Sequence, residues 1–90
     1  MEFEWDEGKD AANRAKHGVS LAEAARMDWT TGVDMPDLRF AYGEARLTRI
    51  APINGRKYVC IFTFRGRRIR VISLRKANAR EARGHEQSDP

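Results

Sequence analysis

The chain has a single cysteine, Cys60, and two histidines set far apart, so it closes no internal disulfide and shows none of the ligand spacing that holds zinc. No apolar run approaches the ~20 residues of a membrane span. The amino terminus, with Glu2, Glu4 and Asp6 around Phe3 and Trp5, is the opposite of a basic, apolar secretory leader. Ninety residues leave room for one core of modest depth and none for a large cofactor-binding fold. These absences predict a single domain over residues 1–90 that works in a reducing cytoplasm, with no membrane, metal or other cofactor. What is present is the make-up of an ordinary globular protein, 41% hydrophobic and 33% charged. Function must therefore be read from where the charges fall.

The second half has few acids. Residues 45–90 hold twelve Lys or Arg against three Asp or Glu, a net of +9, whereas residues 1–44 hold five against ten, a net of −5. A half of that sign suits a polyanion. The plainer alternative is that Arg-rich strands keep a small sheet soluble and blunt its edges. The cations are densest in residues 65–76, RGRRIRVISLRK, which read as a strand. Regular alternation puts Arg68 and Arg70 on one face, and Arg67 and Arg75 on the other with Ile69 and Val71. Neither face is then uniformly polar, so at least one cation lies at a core rim or in a groove where screening is weak.

Phe3-Glu4-Trp5 alternates as a short edge strand, and Asp6 then caps a helix with Ala11, Ala12 and Ala15 at helical spacing, ended by Gly18 after His17. Ser20-Leu21-Ala22-Glu23 is a capping box opening a second helix that should run to about Asp28. Residues 29–37, with Gly32 and Pro36, read as a loop. Four strands are expected next. In residues 38–42, Leu38, Phe40 and Tyr42 alternate with Arg39 and Ala41; residues 46–53 and 57–64 follow, and then the basic strand. The turns between them are Gly43-Glu44, Asn54-Gly55 in the type I′ pattern, and Arg65-Gly66. Asn78-Ala79-Arg80-Glu81 opens a terminal helix, with residues 86–90 fraying. The expected class is α+β: a short N-terminal strand, two helices, a four-stranded antiparallel meander and a short C-terminal helix, the helices on one sheet face.

These elements carry a series of motifs: Phe3-Glu4-Trp5-Asp6 with Lys9 and Asn13, Lys16-His17-Gly18-Val19, Gly43-Glu44-Ala45-Arg46, and residues 70–77, RVISLRKA, with Glu81. In order and spacing, from residue 3 to about 86, they resemble the BrnT family of bacterial type II toxins. The resemblance implies a RelE-like fold and an endoribonuclease that cleaves mRNA and inhibits translation. It also implies a cognate BrnA-type antitoxin with a ribbon-helix-helix domain, in a hetero-oligomer that binds its own promoter DNA. The chain departs from the family at Leu74, where Ala is usual, and at His85, where Tyr is usual. The rival reading is a catalytically inert antitoxin-binding or nucleic-acid-binding regulator, which the lack of an indisputable catalytic constellation fits.

Cleavage of RNA without a metal needs a base for the 2′-hydroxyl proton, a cation for the developing phosphorane and an acid for the leaving oxygen. Arg46, Arg70 and Arg75 come from neighbouring strands and can converge on one phosphate, where guanidinium forks bind well. His17 is the first choice for proton transfer, since an imidazole titrates near neutrality, but a helix cap is the competing role. Glu44 is either a base or a partner of Arg46 across the turn, and Lys76 either a proton shuttle or a solvated strand end. Lys16, Arg67 and Arg68 are candidates for RNA binding. Ser73 has no histidine or acid at motif spacing, which leaves it a hydrogen-bonding role in the sheet, and Leu74 is expected in the core. Trp5 belongs to the core, whereas Trp29 stacks on a base or meets the antitoxin.

Overall fold

The computed structural model describes residues 1–39, 41 and 43–88, of 85–88 the backbone only. Strand β1 (Glu2–Glu4) leads into helix α1 (Glu7–His17). Asp6 is extended, and its carboxylate accepts the Lys9 N–H at 2.9 Å. Glu7 and Asp10 occupy the first turn, where the helix dipole favours negative charge. At the other end Gly18 takes φ 73° and its N–H returns to the Arg14 carbonyl at 2.9 Å. A side chain there would strain the left-handed backbone.

The second helix is shorter and tighter than expected, a 3-10 helix over Leu21–Arg26. Its buried residues explain the geometry: Leu21, Ala24 and Met27 recur every third position, and three residues per turn stack them in one line against the sheet. The Ser20 hydroxyl accepts the Ala22 N–H at 3.1 Å. Glu23, the acid of the capping box, pairs instead with Arg26 at 3.1 Å, and the Leu21 N–H, another orphan donor of the first turn, goes to Asp10 at 2.7 Å.

Strands β2 (Met35–Pro36), β3 (Leu47–Ile53), β4 (Arg56–Arg65) and β5 (Arg68–Lys76) complete a five-stranded mixed sheet in the order β1-β5-β4-β3-β2. The expected four-stranded antiparallel sheet is corrected at both edges. At one, β1 joins as a fifth strand parallel to β5, pairing Glu2, Phe3 and Glu4 with Arg68, Ile69 and Arg70. At the other, the strand beside β3 is not residues 38–42 but β2, inside the expected loop. Pro36 brings no N–H to continue the ladder. The buried Asp37 then clasps Arg39, taking its Nε at 2.8 Å and Nη2 at 3.0 Å, while the Asp37 N–H goes to the Arg46 carbonyl at 2.8 Å. That clasp takes Leu38 and Arg39 out of strand geometry; Phe40 and Tyr42 lie outside the described residues.

Asn54 (φ 49°) and Gly55 (φ 79°) make the type I′ turn between β3 and β4. The next turn is Gly66-Arg67, with Arg65 and Arg68 paired across it. One sheet face carries the core, in which Ala51, Ile53, Cys60, Phe62, Ile69, Val71 and Leu74 meet the 3-10 helix. Trp5 packs against this core. So does Trp29, whose ring stands edge-on to Phe62 at 5.1 Å and whose Nε1 donates to the Ala24 carbonyl at 2.9 Å. Burial pushes the Cys60 thiol up to about 12, which makes it an inert core residue.

Helix α2 (Ala79–Ser88) opens with the expected capping box: the Asn78 N–H reaches Glu81 Oε1 at 2.9 Å and the Glu81 N–H reaches Asn78 Oδ1 at 2.8 Å. Residues 89–90 and the His85 side chain lie outside the described part. The helices do not share one sheet face as expected: the 3-10 helix covers the core, α1 runs along the β5 edge, and α2 reaches the opposite face through Glu81. Among the described residues no helix is long and apolar enough to cross a membrane.

Candidate functional site

Among the described residues no strand lies beside the outer edge of β5 beyond Glu4, and α1 covers that edge with one side chain. Asn13, only 7% exposed, accepts the Leu74 N–H on Oδ1 at 3.2 Å and donates Nδ2 to the Leu74 carbonyl at 2.8 Å. Nδ2 also donates to the Val19 carbonyl at 2.9 Å. The carboxamide takes the place of a neighbouring strand and leaves no buried backbone group of Leu74 unpaired. The clamp turns one face of α1, with Lys9, Asn13, Lys16 and His17 spaced by three and four, toward the end of β5.

The opposing wall depends on an irregularity in β5. Phe62 pairs with Val71 and Ile61 with Ser73, so Ile72 is an extra residue in the ladder. The alternation shifts by one at this bulge. Ile69, Val71 and Leu74 all enter the core, while Arg70, Ser73 and Arg75 share the other face with Thr63, Ile61 and Val59. The expected grouping of Arg75 with Ile69 and Val71 is thereby overturned.

Between α1 and this face lies a cavity of ≈ 390 Å³. Lys9, Lys16 and His17 line it from α1, Arg39 from the loop, Arg46 from the entry to β3, and Ser73 and Arg75 from β5, over Ile61 and Ile72. Among the described residues that line it five are cations and none is an acid; Asp37 and Glu81 lie just outside, on Arg39 and Arg75, and the balance inside is positive. Arg75 is held in place by a two-pronged bond, Nη1 to Glu81 Oε1 at 2.8 Å and Nη2 to Oε2 at 2.7 Å. That bond raises the Arg75 guanidinium above its already high value and holds the Glu81 carboxyl below the usual range. Arg39, although paired with Asp37, repels Arg75, and an anion between the two guanidiniums relieves that repulsion. A second cavity of ≈ 430 Å³ shares Arg39, Ile61 and Arg75 with the first and extends it toward Leu38 and Thr48.

The structure thus gathers His17, Lys16, Arg46 and Arg75 in one place. The helix cap weighed for His17 is supplied by the Gly18 N–H. Lys76 follows Arg75 but faces the other way, into a cavity it shares with His17. Arg70 is half-buried and bound to Glu4 at 2.7 Å across the parallel strand pair. Arg68 is bound to Glu2 at 3.0 Å, and Arg67 sits in the hairpin turn, at the opposite end of β5 from Arg75. Glu44 faces Arg65 at 3.7 Å rather than Arg46.

All the side chains lining the first cavity fall between Trp5 and Glu81, and a family model described as the BrnT ribonuclease toxin of type II toxin-antitoxin systems matches residues 5–81. The chain belongs to the BrnT family. It is therefore a ribonuclease toxin of the type II class, which works opposite an antitoxin. Comparison with curated proteins yields no match. In this BrnT chain, sequence reasoning named Lys9 only as part of a motif and Ser73 only as a hydrogen-bonding residue of the sheet, and it gave no role to Arg39, although Lys9 shares a helical face with Lys16 and His17. The bulge also had a signal. Ile69, Val71 and Leu74 are spaced by two and then three, and an apolar face that slips by one residue inside a strand marks an extra residue.

Proposed function

We propose that the chain is a metal-independent endoribonuclease that cleaves mRNA and so inhibits translation, on a RelE-like scaffold. A BrnA-type ribbon-helix-helix antitoxin neutralises it in a hetero-oligomer that binds promoter DNA. The observation that carries this reading is the cation-rich cavity in which Lys9, Lys16, Arg39, Arg46 and Arg75 meet beside His17. An RNA strand laid there has its scissile phosphate against Arg46 and Arg75, with the lysines and Arg39 on the flanking charge. The 2′-oxygen attacks phosphorus and the bond to the 5′-oxygen breaks, leaving a 2′,3′-cyclic phosphate and a 5′-hydroxyl. Arg75, preorganised by Glu81, stabilises the phosphorane at no cost in reorganisation. His17 at the rim either takes the 2′-hydroxyl proton or protonates the leaving 5′-oxygen, with solvent water making the other transfer, and the Ser73 hydroxyl donates to a phosphoryl oxygen. A lining dominated by cations offers little to a divalent cation and suits electrostatics carried by guanidinium groups.

The test is incubation of the purified chain with RNA in EDTA. Cleavage is expected, and Arg75→Ala should lower kcat by about 10²–10³-fold with an unchanged circular dichroism spectrum. Induced in bacteria, the chain should arrest growth unless the neighbouring reading frame is expressed with it, and primer extension should map cuts in cellular mRNA. RNA bound but left intact in EDTA overturns the catalytic reading and leaves the inert regulator.

A further inference from the structure

We infer that the cavity on the other side of His17 is a nucleotide subsite, taking the nucleotide next to the cleaved phosphate with its phosphate on Lys76 and Arg56 and its base on Tyr58. The inference rests on the reading that RNA occupies the first cavity. The subsite, ≈ 590 Å³, lies where the Asn54-Gly55 hairpin meets the end of α1. His17 lines both cavities and is their meeting point. Arg75 and Lys76 are consecutive in β5, so strand alternation sends one side chain into each cavity. A strand held on Arg75 can pass His17 and place its next phosphate on Lys76.

Several features fit a nucleotide rather than a bare anion. Tyr58 and Lys76 are cross-strand partners, so the ring and the ammonium rise from the same spot. Arg56 donates Nη2 to the Ala77 carbonyl at 3.3 Å, which fixes its guanidinium at the end of β5. Arg26 lines the same cavity but is taken by Glu23, the cavity's one acid, at 3.1 Å. Among the described residues Lys76 and Arg56 have no carboxylate partner, which leaves two cations beside an aromatic wall. Single-stranded RNA is held by that combination of a cationic track and a π-face. Asn54 in the turn adds an amide at hand for a base edge.

The experiment uses 2′-O-methyl oligonucleotides, which cannot be cleaved, so binding is read apart from catalysis. A dinucleotide has one phosphate and a trinucleotide two. Calorimetric titration should show the trinucleotide bound about tenfold more tightly than the dinucleotide, and this ratio should fall to about one in an Arg56→Ala, Tyr58→Leu, Lys76→Ala triple variant. In the unaltered chain, a trinucleotide with 5-iodouridine at one end or the other should crosslink to Tyr58 on irradiation. A ratio near one in the unaltered chain, a ratio that survives in the variant, or crosslinks confined to the first cavity overturns the subsite. A chain that binds with the expected ratio yet leaves unmodified RNA intact would sink the ribonuclease reading and keep the subsite.

Discussion

Asn13 spends its whole carboxamide on backbone, joining the β5 edge at Leu74 to the turn at Val19. Asn13→Ala leaves these buried groups unpaired, and the expected loss is on the order of 3 kcal/mol in urea unfolding. Asn13→Asp should not rescue it, because a carboxylate cannot donate to the two carbonyls. Asp10, one turn earlier, makes the matching anchor for the 3-10 helix. It accepts the Leu21 N–H at 2.7 Å and the Ser20 hydroxyl at 2.9 Å, with Arg14 at 3.3 Å. The Leu21 bond above all, then Ser20 and Arg14, hold its carboxyl below the ordinary 3.8 against the opposing effect of burial. A folded value below the unfolded one means that these contacts contribute fully above pH 3.8 and are lost as pH falls through the folded value. Asp28, held low by Thr30, and Glu81, held low by Arg75, have the same sign. Urea midpoints should therefore decline once pH drops below about 4.5, the ordinary value of Glu81, and Asp10→Asn should flatten that decline.

Strand β5 is where element-level reasoning had most to gain and where it slipped. The bulge at Ile72 puts Leu74 in the core beside Leu21 and sends Arg75 to the cavity. Leu74→Ala should cost about 3 kcal/mol, as for a fully buried leucine, whereas unbroken alternation would set Leu74 on the other face and make the change mild; thermal and urea unfolding of the variant decide. The ends of elements were legible because their chemistry is local. Asp6, Gly18, Asn54-Gly55 and the Asn78–Glu81 box each satisfy a backbone group or a positive φ within a few residues. The strand pairings were not legible. Three residues of β1 find β5 across more than sixty positions, and β2 forms because Asp37 N–H meets the Arg46 carbonyl, contacts that no local pattern announces. In the candidate site, residue types and one helical face were visible in sequence. The meeting of Arg46 and Arg75 was expected too, but that Lys9 and Ser73 join them was not, because it follows from the bulge and from the Asn13 clamp.

The division into an acidic first half and a basic second half is resolved by the way the chain folds back on itself. Glu2 and Glu4 on β1 lie directly against Arg68 and Arg70 on β5. Asp34 takes Arg49 at 2.6 Å, whose guanidinium also lies over the Trp29 ring. The acidic half thus offsets the near end of the basic strand and one cation of β3, while at the far end, where Glu81 holds Arg75, α1 brings Lys9 and Lys16 to join Arg46 and Arg75. Net charge alone would spread RNA contacts over the whole basic half; on the proposed function they concentrate at the cavity. Binding of a non-cleavable single strand should weaken with salt, and each cation that releases a counterion adds about 0.7 to the slope of log K against log salt. Removing Lys9 or Lys16 should lower the slope by about that amount, and Arg68→Ala by less, since Glu2 already offsets its charge. Equal losses for Arg68 and the two lysines would mean that RNA follows the full length of β5, with the cavity only one stop along it.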